Sequence, residues 1–230
     1  MFNFANYYMD WTILLIIPGV IVAMWAQSKV NRAYQLYSKM PVRSGVTGRE
    51  AAARILAANG LYDVQVVPTG GRLSDHYSPR KKTLNLSEAN FSDSSVAAVA
   101  VAAHESGHAI QHGTGYFPLH LRSLIAPVVS IASYMLWPIL ILGLMMGFRD
   151  TISIAVYIFL AIFIFQLITL PVEFNASRRA LAALASQNVL TDEEKYGAKK
   201  MLEAAALTYV AATLVALLNV LRFSMLSRRR

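Results

Sequence analysis

Cysteine is absent from this chain of 230 residues. That excludes disulfide bridges, and it excludes thiolates as ligands to any metal the chain holds. Charge is scarce as well. Charged residues make up 15 % of the sequence and hydrophobic ones 56 %, and the mean hydropathy of +0.44 is high for a water-soluble protein. The scarcity is uneven, because charge is missing altogether from four stretches: Trp11 to Ser28, Ser123 to Phe148, Thr151 to Val172 and Ala204 to Leu221. Each reaches the roughly 18 residues that a helix needs to cross a bilayer, which predicts a membrane protein. Lysine and arginine are missing from the first ten residues. Without a positive n-region or a convincing small-x-small site, a retained first span is expected rather than a cleaved signal peptide. The net charge of +8 does not point to nucleic acid, because the basic residues flank apolar runs, where headgroups and topology account for them.

What is present is a stretch with chemistry in it, His104-Glu105-Ser106-Gly107-His108-Ala109-Ile110-Gln111-His112. It contains His-Glu-x-x-His, and residues four apart on a helix share a face. His104 and His108 can therefore hold one metal ion between them. Glu105, one residue round from the first histidine, can take the proton of a water bound to that metal. A catalytic zinc site has three protein ligands and an open position for the water. With 5 histidines and 13 acidic residues in the chain, about 0.005 chance matches are expected.

The surrounding pattern divides the chain. Residues 1–28 read as a first transmembrane helix, with Tyr7, Tyr8, Trp11 and Trp25 as interfacial aromatics and a kink at Pro18-Gly19. Residues 29–120 read as a soluble catalytic domain that opens on the basic residues Lys29, Arg32, Lys39 and Arg43. Within it, Thr47 to Glu50 form a capping box whose helix Gly60 stops. Alternation predicts strands over Tyr62 to Pro68 and Lys82 to Ser87, with Leu73 to Pro79 irregular between them. Ser92 to Ser95 offer N-caps to the motif helix, which Gly113 ends. Residues 121–172 form a helical hairpin turning at Arg149-Asp150. Residues 173–203 form a return segment with a second capping box at Thr191 to Glu194, and 204–230 form an apolar helix, spanning or packed, with a basic tail.

Two histidines hold zinc poorly, and the candidates for a third ligand are His76, His112, His120 and Glu173. A straight helix spreads His104, His108 and His112 along ~12 Å, too far for one ion, so His112 reads as a neighbour of the site. His76 can approach from its loop, and His120 sits at a membrane entry. Glu173 directly follows an uncharged run, where a carboxylate requires a cationic partner. That partner is either a metal or Arg178.

Together, HESGHAIQH, LPVEFNASRRA, LSDHYSP and AAALTYVAA resemble the YugP-type membrane zinc metallopeptidases of bacteria along nearly the whole chain. More distantly they are similar to the HtpX and CAAX-prenyl-protease group of gluzincins. The resemblance implies a mainly α membrane protein, with a gluzincin-like metalloprotease domain and a small β-sheet joined to three or four transmembrane helices. It implies a single Zn2+ ion held by His104, His108 and Glu173, with Glu105 as general base. Glu173-Phe174-Asn175-Ala176-Ser177 matches the wider group's Glu-x-x-Ala-Asp, except that Ser177 replaces the aspartate that supports a ligand histidine. His76, Tyr77, Tyr116 and Arg178 are candidate donors to an oxyanion. The strand around Leu84 to Leu86 is a candidate edge for an extended peptide. The implied function is a zinc endopeptidase, acting at the plasma membrane on protein or peptide substrates that are themselves membrane-associated. A second copy or a membrane partner is compatible with it. The alternative is a non-catalytic metal-binding or scaffold protein, and the intact Glu105 stands against that.

Overall fold

The computed structural model describes residues 11–71, 74–147 and 150–228; Tyr7, Tyr8 and Arg149 lie outside the described residues. A 3-10 turn over Trp11–Leu15 leads into α1, Ile17–Tyr37. Pro18 stands at the start of α1, where its missing N–H has no carbonyl to serve, so it opens the helix instead of kinking it. Gly19 is instead a packing residue. A Cβ there would meet the Leu218 side chain at 2.7 Å.

Between α1 and the motif lies a small α/β unit. Helix α2, Gly48–Ala58, begins on the reciprocal capping box of Thr47 and Glu50, and Gly60 follows it with φ +72°. The strands are β1, Gln65–Thr69, β2, His76–Ser78, and β3, Thr83–Ser87. Their order is β1-β3-β2, with β1 parallel and β2 antiparallel to β3. Two expectations need correcting. Of the stretch from Leu73 to Pro79, Leu73 lies outside the described residues, and the rest is not wholly irregular because it contains β2. Asp75 anchors the entry to that strand by accepting from the Ser87 amide (2.7 Å) and from Asn90 Nδ2 (2.9 Å). In addition, β3 is paired on both sides, so its Leu84–Leu86 segment has no edge to offer a peptide. The edge nearest the motif belongs to β2. A short helix α3, Glu88–Ser92, then leads to α4, Val96–Gly113, capped by Ser95 Oγ. The left-handed residue beyond α4 is Gly115, at φ +64°.

The rest is three long helices: α5, Phe117–Met145, α6, Thr151–Ser186, and α7, Asp192–Arg228. Helix α6 continues through Pro171 without interruption. Glu194 in the first turn of α7 caps Thr191 and also accepts the Arg43 amide at 2.7 Å, tying the helix to the soluble unit. The long helices stand in a row in which α1 packs on α7, α7 on α6, and α6 on α5. Helix α7 runs antiparallel beside α6 for its whole apolar length. Tyr209 approaches the Glu173 carboxyl at one end. At the other, Phe223 stacks on Phe159 at 4.7 Å and Ser227 Oγ bonds Ser153 Oγ at 3.1 Å. From Tyr209 to Ser227 is about 27 Å of helix, close to the ~30 Å of a bilayer's hydrocarbon core. Among the described residues, four helices are long and apolar enough to cross.

The core beneath the row is built largely from alanine and branched aliphatic residues of α2, α4, α6 and α7, including Ala51, Ile55, Val99, Ala180 and Leu202. Small residues let α4 lie close against α6, and that closeness sets the geometry of the site.

Candidate metal centre

Helix α4 presents His104 and His108 one turn apart, with their rings edge to face at 4.8 Å between centroids. Helix α6 crosses α4 at Gly107. A Cβ on Gly107 would sit 2.4 Å from the Ala176 carbonyl oxygen, so only glycine lets the two backbones touch here. Glu173 precedes Ala176 by about one turn and is thereby carried over the two histidines. Its Oε2 lies 3.2 Å from His104 Nε2 and 3.6 Å from His108 Nε2. Ligand atoms about 2.0–2.1 Å from a tetrahedral zinc stand roughly 3.3 Å apart, and these two distances bracket that value. Among the described residues, these three form the one His/Asp/Glu group close enough to hold an ion.

The protonation pattern also fits a cation. Gln111 Nε2 donates to the Val172 carbonyl at 2.8 Å and to Asn175 Oδ1 at 3.0 Å, so the amide's oxygen must be the atom facing His108 Nδ1 at 3.0 Å. His108 Nδ1 is therefore a donor. In the neutral ring its Nε2 turns a lone pair towards the carboxylate of Glu173. Ser177 Oγ stands 3.2 Å from His104 Nδ1 and can fix that ring's tautomer in the same way. Acceptors directed at one point in a buried site need a cation between them. Glu173, 2 % exposed, receives a further one: Arg122 Nη1 contacts its Oε1 at 3.2 Å.

Burial pushes the His108 imidazole towards neutrality, but the hydrogen bond and charge of Glu173, the charge of Glu105 and the Gln111 bond outweigh it. The ring is held above its ordinary value.

Glu105 lies beside this trio, and its Oε2 accepts the backbone N–H of Tyr77 from the outer edge of β2 at 3.0 Å. The Tyr77 hydroxyl bonds His112 Nδ1 at 2.9 Å, and the His112 ring stands 6.0 Å from that of exposed His120. His76 is exposed on β2, with Nδ1 at 2.7 Å from the Ser74 carbonyl. A cavity of about 500 Å³ opens over the trio and is lined by His76, Tyr77 and Glu105 but not by Tyr116 or Arg178. Tyr116 instead lies under the Arg179 guanidinium, 5.9 Å away. Arg178 is exposed, and the guanidinium that meets Glu173 is that of Arg122.

Four contributors escape sequence reading. Arg122 is only a charge at the head of an apolar run, and Tyr209 a tyrosine inside one. Gln111 stands three residues past His108, a spacing that could have flagged it. Gly107 sits inside the motif, where its contact with α6 leaves no local trace.

The chain belongs to the family described as "Putative neutral zinc metallopeptidase", whose match covers residues 12–228. Among individual relatives, it is similar to the "Putative membrane protease YugP" of Bacillus subtilis (strain 168). The two are 47 % identical over 215 residues, which is 93 % of this chain and 95 % of that protein. No solved structure matches the chain.

Proposed function

We propose that the protein is a membrane-embedded zinc endopeptidase in which His104, His108 and Glu173 hold one ion and Glu105 is the catalytic acid and base. The observation that carries this reading is the convergence of three metal-binding atoms within 4.8 Å of one another, with both Glu173–histidine distances near that of a tetrahedral site and a carboxylate beside them in an open cavity. Zinc, when bound, supplies an activated water and polarises the carbonyl that the water attacks. The protein does the rest. The Tyr77 amide holds one oxygen of Glu105 and leaves the other for the attacking water. Glu105 takes that proton and returns it to the departing amine, one group serving both steps. Of the four donors considered for the oxyanion, His76 and Tyr77 remain, because they line the cavity. The Tyr77 hydroxyl is already held by His112, which favours His76.

The catalytic unit faces the cytoplasm in this reading. Lysine and arginine number 11 in residues 27–122 and 5 in 173–203, against Arg149 and four near the C-terminus, and the positively charged side stays inside. The test is metal analysis with casein and peptide cleavage by detergent-purified protein, wild type beside Glu105→Gln. Bound zinc and cleavage in the wild type, with zinc alone in the variant, is the expected result. Zinc without cleavage in the wild type would favour a scaffold instead.

A further inference from the structure

The row of long helices has two ends, and the site lies between them. Helix α1 packs along α7, and α5 along α6; among the described residues no comparable packing joins α1 to α5 or α5 to α7. The cavity over the metal trio fills that opening, with Val30 and Tyr34 of α1 on one side and Leu119, Arg122, Ser123 and Ala126 of α5 on the other. It has two unlike halves. Near β2 and α4 its wall is polar, formed by Asp75, His76, His104, Glu105 and Glu173. Farther along, the wall is Phe165 and Ala126. Phe165 precedes Glu173 by eight residues, so the apolar half reaches about 12 Å along α6, inside the uncharged run of that helix. Ala126 likewise lies within the uncharged run of α5. The cavity therefore runs from the metal trio into the apolar depth of α5 and α6.

We infer that the substrate enters sideways between α1 and α5 as the end of a lipid-embedded apolar segment, and is cut just where that segment leaves the membrane. This rests on the peptidase reading above. A polar peptide from solution would leave the apolar half of the cavity wet. A segment continuous with a membrane span fills it and delivers an extended backbone to Glu105. The depth of the cut follows from Glu173, which is the first residue after the uncharged run of α6 and so holds the metal level with the membrane edge. Cleavage then falls within about one helical turn, ~4 residues, of the segment's end.

The experiment uses full-length protein in phosphatidylethanolamine–phosphatidylglycerol vesicles. The probe is a synthetic peptide with ~20 apolar residues followed by a cleavable polar sequence, and the same polar sequence is supplied free. Inserting spacer residues between the two parts should move the cut along the sequence so that it stays at the membrane edge. A second arm does not need turnover: in zinc-loaded Glu105→Gln, a photoreactive group at the end of the apolar segment should label 30–34 and 119–126. A cut that follows the polar sequence whatever the spacer overturns the inference, as does label spread over outward-facing Val128, Ile131 and Tyr134. Cleavage of the free peptide alone overturns it while leaving the peptidase standing. Labelling of the gap with no cleavage of any probe by the wild type supports lateral entry and counts against the peptidase.

Discussion

Replacing Gly107 by alanine adds one methyl group at the crossing of α4 and α6, and the consequence can be followed step by step. The new Cβ would lie 2.4 Å from the Ala176 carbonyl oxygen and 3.0 Å from its carbon, whereas an ordinary contact is about 3.5 Å. Both partners are main chain in helices, so no rotamer can yield, and the helices must separate by roughly 1 Å. Ala176 and Glu173 are one turn apart on α6, so the carboxylate leaves the histidines by a similar distance. Overpacking of this kind costs about 1–3 kcal/mol, and a misplacement of ~1 Å lowers turnover about 100-fold. The assay is zinc retention against a chelator, alongside thermal unfolding and peptide cleavage. Gly113→Ala on the same helix is the control, because its Cβ would meet only the end of the Leu61 side chain, which can turn away. Should Gly107→Ala hold zinc and cleave like the wild type, the close crossing is not what assembles the site.

Other perturbations separate the parts. Glu173→Gln should lower zinc affinity and activity together, while Glu105→Gln lowers activity only; full zinc occupancy in Glu173→Gln under chelator, with loss in His76→Ala, would reassign the third ligand. Zinc binding should weaken as pH falls. His108 in the metal-free protein is held above its usual value of 6.5, so a proton must leave for metal to enter, at about tenfold in affinity per pH unit below that raised value. The same shift stabilises the metal-free fold below pH ~6.5 and is lost as pH rises through the raised value, so a flat chelator-competition profile would exclude the effect. Thr47→Ala removes the cap of α2 and should cost about 1 kcal/mol in denaturant unfolding without altering zinc content. A single cysteine near Arg49, clean to label in a chain with none, should resist an impermeant maleimide in intact cells if that side is cytoplasmic.

Much of the architecture was legible because it is written locally. The capping boxes at Thr47 and Thr191 mark their helices by residue type and spacing, and the uncharged runs mark the spans by length. The histidine pair is legible because four residues is one turn. Helix α7 was ambiguous from its tail of arginines, and becomes a crossing element only beside α6, where Ser227 reaches Ser153. Strand β2 was missed because three residues carry no period, and its pairing depends on β3 and on the Asp75 anchor. The parallel pairing of β1 with β3 and the meeting of Arg122 with Glu173 join distant segments, and no local pattern encodes them. Glu173 stands out in the sequence as the first charge after an uncharged run and then by a likeness of motifs, but its position over the histidines depends on the Gly107 crossing.

The ligand set proposed here has a consequence for biogenesis. His104 and His108 leave the ribosome before α5 and α6 are made, and Glu173 arrives only on the returning limb of the membrane hairpin. A nascent chain therefore carries two weak ligands and no closed centre until that hairpin is threaded through the bilayer and folded back. Zinc capture then reports completed insertion, and a chain stranded in the cytosol lacks the means to cut its neighbours.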